Sequence, residues 1–441
     1  MTYRIDKVNS YNGWDPLKQV VLGDCYPPEF FEDMKDHKLR DLMQRLVSET
    51  REDLDNIQKT LEDFGVDVVR LDPLYNMRQE IGSPTTIMEW FENRHRVTFG
   101  QVPKPPITPR DQFLVMGDKF YVTSADHYYL ELAHTMFETN TRDVLVNPNI
   151  TDSSLVDAAR LQYDGLARGE KVGPVGPIAQ SDDQVRNQIF GEFRRHPWNG
   201  IKPFQTWEEC LEFWDTADPT NNDHHYFLQL ISKVSHSSFA PCVTRVGDKI
   251  ICDIQDFKSI DKVMTKFTEF QQVTAAIGGH NDGSINLPRP GLLICAPWED
   301  PDFYKTTFPG WDIVQIDHTG QMQHDWGSWK NDKAETQGRW WSPFNKENPE
   351  IIDFVDSWLN EWVGYAEETL FEVNMLSVNP ETILSLNYQK DVHKALKKHG
   401  VEPIYCRFRH RNFWDGGLHC LTLILFAKAA CKIIFSINSI Y

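Results

Sequence analysis

The chain has no Cys-x-x-Cys pair. Its eight cysteines (Cys25, Cys210, Cys242, Cys252, Cys295, Cys406, Cys420 and Cys431) are spread over 441 residues. That scatter disfavours both a zinc site and a compact disulfide framework, and reduced thiols in a cytoplasm are the simplest reading. Positive charge is also short: 45 Lys and Arg stand against 64 Asp and Glu, a net charge of -19. Such a balance opposes non-specific attraction to nucleic acid or to an anionic membrane. Long apolar runs are missing too. The most apolar segment, Leu421 to Tyr441, is interrupted by Lys428 and Lys432 and does not reach membrane-spanning length. Met1 to Tyr11 mixes Arg4, Asp6 and Lys7 with polar residues, so it reads neither as a signal peptide nor as a transit peptide. What remains is a globular composition, 40% hydrophobic with 14 Trp and 26 Phe, enough for a large core. Length alone suggests two or three domains, although closed single-domain architectures also run this long.

Two local patterns recur along the chain. Leu39 to Phe64 carries Leu42, Leu46, Leu54, Ile57 and Leu61 at helical spacing, predicting an amphipathic helix or helix pair. Gly65 breaks it, and Val66 to Pro73 alternates as a strand. Gly310 to Asp317 and Gly400 to Arg407 repeat this passage from helix through Gly to strand. In the second pattern, Phe113 to Val122 and Val243 to Cys252 each place Gly-Asp between β-rich runs, as a tight hairpin requires. Asp15-Pro16 followed by an apolar run and Gly23 reads as a short buried strand, and Leu421 to Phe426 as a buried terminal strand. Units recurring at wide spacing imply a toroidal or modular α/β architecture rather than independent domains. Val172 to Asp183 and Gly320 to Glu350 look like inserted loops or arms; Trp326, Trp329, Trp340 and Trp341 suit a segment that covers a site or a neighbouring subunit.

Polar chemistry concentrates in three motifs beside turn residues: Thr108-Pro-Arg-Asp111, Gly278-Gly-His-Asn-Asp-Gly283 and Gly416-Gly-Leu-His-Cys420. The paired glycines permit positive φ and close approach of a substrate to the main chain, presenting Cys420 at the lip of a cavity. His419 precedes the thiol directly. In a strand the two side chains would face opposite sides, so the base for Cys420 is expected elsewhere. By the same rule His280 and Asp282, two apart, would share one face. An imidazole and a carboxylate there suit a thiol that must lose a proton and a cationic substrate that needs an anionic partner. The bland alternatives are an inert buried cysteine, a loop histidine that caps backbone groups and a solvated turn aspartate at Asp111.

Taken in order, Asp15-Pro-Leu-Lys-Gln-Val-Val-Leu-Gly23, Pro109-Arg-Asp111, Gly279-His-Asn-Asp282 and Gly416-Gly-Leu-His-Cys420 resemble the motifs of the amidinotransferases, especially those acting on glycine. Each motif is weak alone, and their collinearity is what makes the likeness specific. It covers most of the chain, with 161–235 and 320–350 as insertions in one domain spanning 1–441. The resemblance implies a five-module α/β-propeller built of pseudo-fivefold ββαβ repeats. It also implies ping-pong transfer of an amidino group from arginine to glycine or another small amine, with ornithine released. Cys420 would be the nucleophile and His280 the acid and base of both half-reactions. Asp111 and Asp282 would bind the guanidinium nitrogens, with Glu372 as a further substrate-binding residue. No metal or organic cofactor is required by such chemistry. The partners implied are small molecules, with dimerisation by resemblance only, and no nucleic acid or membrane. Sequences of this kind occur in phage genomes, so the compartment expected is the cytoplasm, or the host cytoplasm if the chain is phage-encoded.

The sequence departs from that pattern in several places. The family's histidine-orienting aspartate falls where this chain reads Ser238-Phe-Ala-Pro-Cys242, which leaves Asp253 or Asp248 as candidate replacements. No arginine for a substrate carboxylate is found near Trp298 and Glu299, and Glu372 stands where the family has a small hydroxyl residue. Two other readings therefore stay open: arginine deiminase-like hydrolysis, and a guanidino-compound-binding protein that has lost turnover.

Overall fold

Gly65, Gly310 and Gly400 hold left-handed backbone, with φ of 74°, 83° and 71°, where a helix gives way to a strand. A residue with a Cβ pays for that conformation, which is why glycine marks each of the three junctions. After the helix ending at Asp63, the Val66 N–H reaches back to the Leu61 carbonyl; after the helix ending at Lys398, Val401 does the same to Leu396. The recurring passage read from the sequence is therefore a recurring backbone motif.

The computed structural model describes residues 5, 7–74, 85–93, 102–122, 212, 216, 240–253, 270–275, 280–316, 349–359, 362–363 and 370–428. The stretch 172–183, the four tryptophans between 326 and 341, nearly all of 161–235 and of 320–350, and 429–441 lie outside the described residues. In chain order come β1 (Leu17–Leu22), α1 (His37–Asp63), β2 (Asp67–Arg70), α2 (Ile87–Asn93), β3 (Phe113–Met116), β4 (Lys119–Val122), β5 (Val243–Val246), β6 (Lys249–Asp253) and β7 (Gln271–Ala275). They are followed by α3 (Asn281–Ser284), β8 (Ile285–Arg289), β9 (Leu292–Cys295), α4 (Pro301–Thr307), β10 (Asp312–Gln315), α5 (Pro349–Trp358), β11 (Leu376–Asn379), β12 (Thr382–Ser385), α6 (Lys390–Lys398), β13 (Glu402–Tyr405), α7 (Arg411–Trp414) and β14 (Thr422–Ala427).

These strands form five small sheets, so the fold is α/β. Four sheets share one plan, in which a first strand runs antiparallel to a central strand and the central strand pairs in parallel with a third. A parallel pair needs a crossover, and α4 supplies it between β9 and β10, as α6 does between β12 and β13. The fourth such sheet joins the two ends of the described chain: β14 pairs antiparallel with β1 (Val20 opposite Ile424, Leu22 opposite Thr422), and β1 pairs in parallel with β2 across α1. The fifth sheet is the hairpin of β3 and β4, turning at Gly117 with φ of 61°.

Neighbouring sheets are tied by buried polar groups. Ser10 and Gly117 exchange backbone bonds of 2.8 Å, while the Asn9 N–H bonds the carbonyl of Leu425, joining β14 to the β3–β4 turn. Buried Arg245 donates to the Val115 carbonyl, and Arg110 to the carbonyls of Ala240 and Val243, joining the β3 and β5 sheets. Asn281 donates to the carbonyls of Cys242 and Ile251, at 3.0 and 3.2 Å. Asn286 donates to the Met375 carbonyl at 2.9 Å and Ser377 to that of Pro288 at 3.0 Å. Leu376 and Leu384 share a core cluster with Val20 and Ile424, which brings the β11 sheet against the β1 sheet.

The sequence left α1 as one helix or two, and it is a single helix of 27 residues. No Gly or Pro interrupts it, and Asp36 caps its start by accepting from the Leu39 N–H at 3.1 Å. Its buried stripe of Leu39, Met43, Leu46, Leu54, Ile57 and Leu61 faces the main core. Its other contribution is polar. Asp53 accepts from the Arg409 main chain and side chain at 2.7 and 3.0 Å, Glu49 pairs with His410 at 2.7 Å, and Thr50 accepts from the Trp414 indole at 2.9 Å. The helix thereby fixes residues 409–414, the run-up to Cys420.

Candidate active site

Cys420 lies in a turn, two residues before β14 begins. The strand alternation expected to separate His419 from Cys420 therefore does not operate, and both side chains converge on one carboxylate. His419 Nδ1 is 2.8 Å from Asp282 Oδ2, and the Cys420 thiol donates to the same oxygen at 3.3 Å. Asp282 is not on a strand either: it belongs to the one-turn helix α3, with His280 immediately before that turn. Its placement beside the thiol follows from the helical turn and not from a period of two.

The glycines before the thiol serve space, not handedness. Neither Gly416 nor Gly417 has positive φ; the left-handed residue of this turn is Asp415, at φ 49°. A Cβ on Gly417 would stand 2.5 Å from Asn374 Oδ1, and one on Gly416 would stand 2.9 Å from Thr108 Cγ2. The close approach inferred from Gly-Gly is thus to the protein's own side chains.

Around the sulfur the charges are negative and dry. Asp282 is buried, as is the thiol. Asp111, at the end of the turn Pro109–Asp111, places Oδ1 at 3.9 Å from His280 Nδ1. Asp111 Oδ1 and Asp282 Oδ1 are both buried without a hydrogen-bond partner among the described residues. Burial alone would raise the Asp282 carboxyl, but the His419 N–H and the charges of His419, Arg110 and His280 outweigh it and hold the carboxyl well below the usual range. Because Asp282 is ionised, the His419 nitrogen facing it must carry the proton. Burial also pulls the His419 imidazole down, towards its neutral form. Asp111 is pushed up, first by burial and also by the Asp282 charge, against the pull of His280. Burial pushes the Cys420 thiol well above its ordinary range, and the charges of Asp282 and Asp111 push it further. The free site therefore holds a protonated thiol at neutral pH, beside carboxylate oxygens that lack a donor.

Four of the expected residues thus meet: Cys420, Asp282, Asp111 and His280. Glu372 is buried and accepts from Asn387 Nδ2 at 2.7 Å. Asp253 ends β6 opposite Ala275, and its side chain lies outside the described residues. Asp248 sits in the β5–β6 turn with a half-exposed side chain, 3.9 Å from Lys249 Nζ. Within Ala240–Cys242 the carbonyls of Ala240 and Cys242 are taken by Arg110 and Asn281. Where the resemblance calls for an arginine, Trp298 donates to Ser284 Oγ at 3.0 Å, and buried Glu299 accepts from the Tyr304 hydroxyl at 2.6 Å. Sequence reasoning missed two contributors. His419 is visible beside the cysteine, but strand alternation would turn it away from the thiol; Asn374, 46 positions upstream of Cys420, gives no motif signal.

Among the described residues no group of three or more His, Cys, Asp or Glu could hold a metal ion, and no helix is long and apolar enough to cross a membrane. No protein-family model matches the sequence, and no curated protein matches it. Solved structures do match. SxtG, an amidinotransferase from Microseira wollei in the saxitoxin biosynthetic pathway, is 15% identical, with 95% of this chain and 97% of that one covered at a TM-score of 0.48. The inosamine-phosphate amidinotransferase StrB1 from Streptomyces griseus is 16% identical, with 96% and 97% covered at 0.45. A dimethylarginine dimethylaminohydrolase is 9% identical, with 92% and 99% covered at 0.38. Amidinotransferases are thus among the structural neighbours of this chain. Likeness at this distance leaves the activity to be read from the side chains.

Proposed function

We propose that this protein is an enzyme of guanidino compounds, an amidinotransferase that carries the amidino group of arginine on Cys420 to glycine or another small amine. The observation that carries the reading is the pair of buried carboxylate oxygens that accept no hydrogen bond among the described residues, Asp111 Oδ1 and Asp282 Oδ1, beside a buried thiol. A planar cation with paired N–H donors satisfies such oxygens, and it places its electrophilic carbon against the sulfur. The same cation offsets the two negative charges that hold the thiol protonated. The Cys420 thiol gives its proton to His280, and the resulting thiolate attacks the guanidinium carbon to form a C–S bond. His280 gives a proton to the departing ornithine amine as the C–N bond breaks, leaving an amidino-cysteine. The acceptor amine then attacks that carbon, loses a proton to His280 and expels the thiolate.

On this reading the described modules belong to one domain. The cyclic order of contacts, from the β14 sheet through the β3, β5, β8 and β11 sheets back to β1, supports a five-module propeller. Glu372 contributes to substrate binding, Asp253 remains the candidate to orient His280, and the protein works on small molecules in the cytoplasm as a homodimer.

Product analysis tests the proposal. Incubation with arginine is expected to release ornithine only when an acceptor amine is present, with the matching guanidino product formed in equal amount. Citrulline and ammonia would replace transfer with hydrolysis. Saturable arginine binding without any product would leave a binding protein.

A further inference from the structure

Asn374 is fully buried, and its three side-chain bonds all go to the catalytic turn. Its Oδ1 accepts from the backbone N–H of His419 at 2.8 Å and from that of Cys420 at 3.2 Å. Two backbone donors can be met only by the oxygen, so the orientation of the amide is decided by its partners and Nδ2 must face the sulfur. That nitrogen lies 3.0 Å from Cys420 Sγ. The Gly417 backbone packs so closely on this amide that no Cβ fits between them.

We propose that Asn374 is a catalytic residue of this site, whose Nδ2–H stabilises the Cys420 thiolate while its Oδ1 locks the two N–H groups that aim the sulfur. The inference rests on Cys420 being the nucleophile of the proposed function. The division of labour is specific. Asp282 Oδ2 accepts from the thiol and opposes its ionisation, whereas Asn374 is a neutral donor that favours it. The charges that bear on the sulfur itself, Asp282 and Asp111, are both negative; His419, Arg110 and His280 bear on Asp282, and His419 is bonded to it. When the guanidinium engages the carboxylates, the S–H bond to Asp282 is lost and the Asn374 donor remains, directed at the developing negative charge. On collapse of the tetrahedral adduct the same donor receives the departing thiolate.

The test reads the thiol itself and does not require turnover. Thiolate ultraviolet absorbance is titrated in the full-length protein and in Asn374→Asp and Asn374→Ala, each after subtraction of the same protein carrying Cys420→Ser. Both Asn374 variants should show the Cys420 midpoint displaced upward by about one pH unit, the tenfold change in ionisation that a hydrogen bond to a charged group supports. Their kcat/KM should fall at least about tenfold at neutral pH. Asn374→Asp keeps the acceptor and the volume, so its melting temperature controls for folding. An unchanged midpoint in both variants overturns the proposal. A rise in Asn374→Asp alone overturns it equally, since that is the effect of the added charge and not of the lost donor. If neither arginine nor any other guanidino compound is turned over by the wild type, the titration still decides the Asn374 bond.

Discussion

Replacing Asp282 by Asn is expected to lower kcat/KM for a guanidino donor by about 30- to 5,000-fold, as follows when losing one partner of a buried charge pair costs about 2–5 kcal/mol. The same substitution should move the Cys420 thiolate midpoint towards acid. Burial is the largest cause of the raised thiol, and it stays; the Asp282 charge is the next, and it goes. Activity falls while the nucleophile becomes easier to ionise, a combination peculiar to a carboxylate that binds cation and opposes the free thiolate. The pH dependence of kcat/KM in the variant, with its acid limb displaced to lower pH, is the measurement. Unchanged or improved kcat/KM would show that no cation rests on Asp282.

Trp414→Ala should destabilise the protein by about 3–5 kcal/mol, the range for emptying a large aromatic site in a core. The ring is fully buried, stacked on Trp362 with centroids 5.5 Å apart and planes at 23°, and its Nε1 donates to Thr50 on α1. Thr50 in turn donates to the Leu46 carbonyl at 2.8 Å, so the bond belongs to the helix and not to a mobile side chain. The consequence reaches the site, since Cys420 is six positions later in the turn that this ring anchors. Urea unfolding followed by tryptophan fluorescence and by circular dichroism should show the midpoint fall with the slope unchanged. A loss below about 1 kcal/mol would mean that the 409–414 segment is held by Arg409 and His410 without the indole.

Much of this was legible because the signals are local. The hairpins at Gly117 and Gly247 and the left-handed glycines at 65, 310 and 400 are each forced by a few adjacent residues, and they appear where the residues say. The site residues were legible as types beside turns. Their geometry was not: α3 places a single helical turn where a strand was expected, and the turn before β14 removes the alternation that had excluded His419. No local pattern announces Asn374 or the pairing of β14 with β1, since each links positions far apart in the chain. Of the two roles that the paired glycines suggest, positive φ is absent at Gly416 and Gly417, and the close approach is made by Thr108 and Asn374.

The central claim is that Cys420 takes the amidino group, and intact-protein mass spectrometry of the enzyme quenched during incubation with arginine tests it most directly. The account predicts an added amidino mass that maps to Cys420, is absent in Cys420→Ala and disappears when an acceptor amine is supplied. A folded wild-type protein that shows no adduct, no ornithine and no citrulline would contradict it.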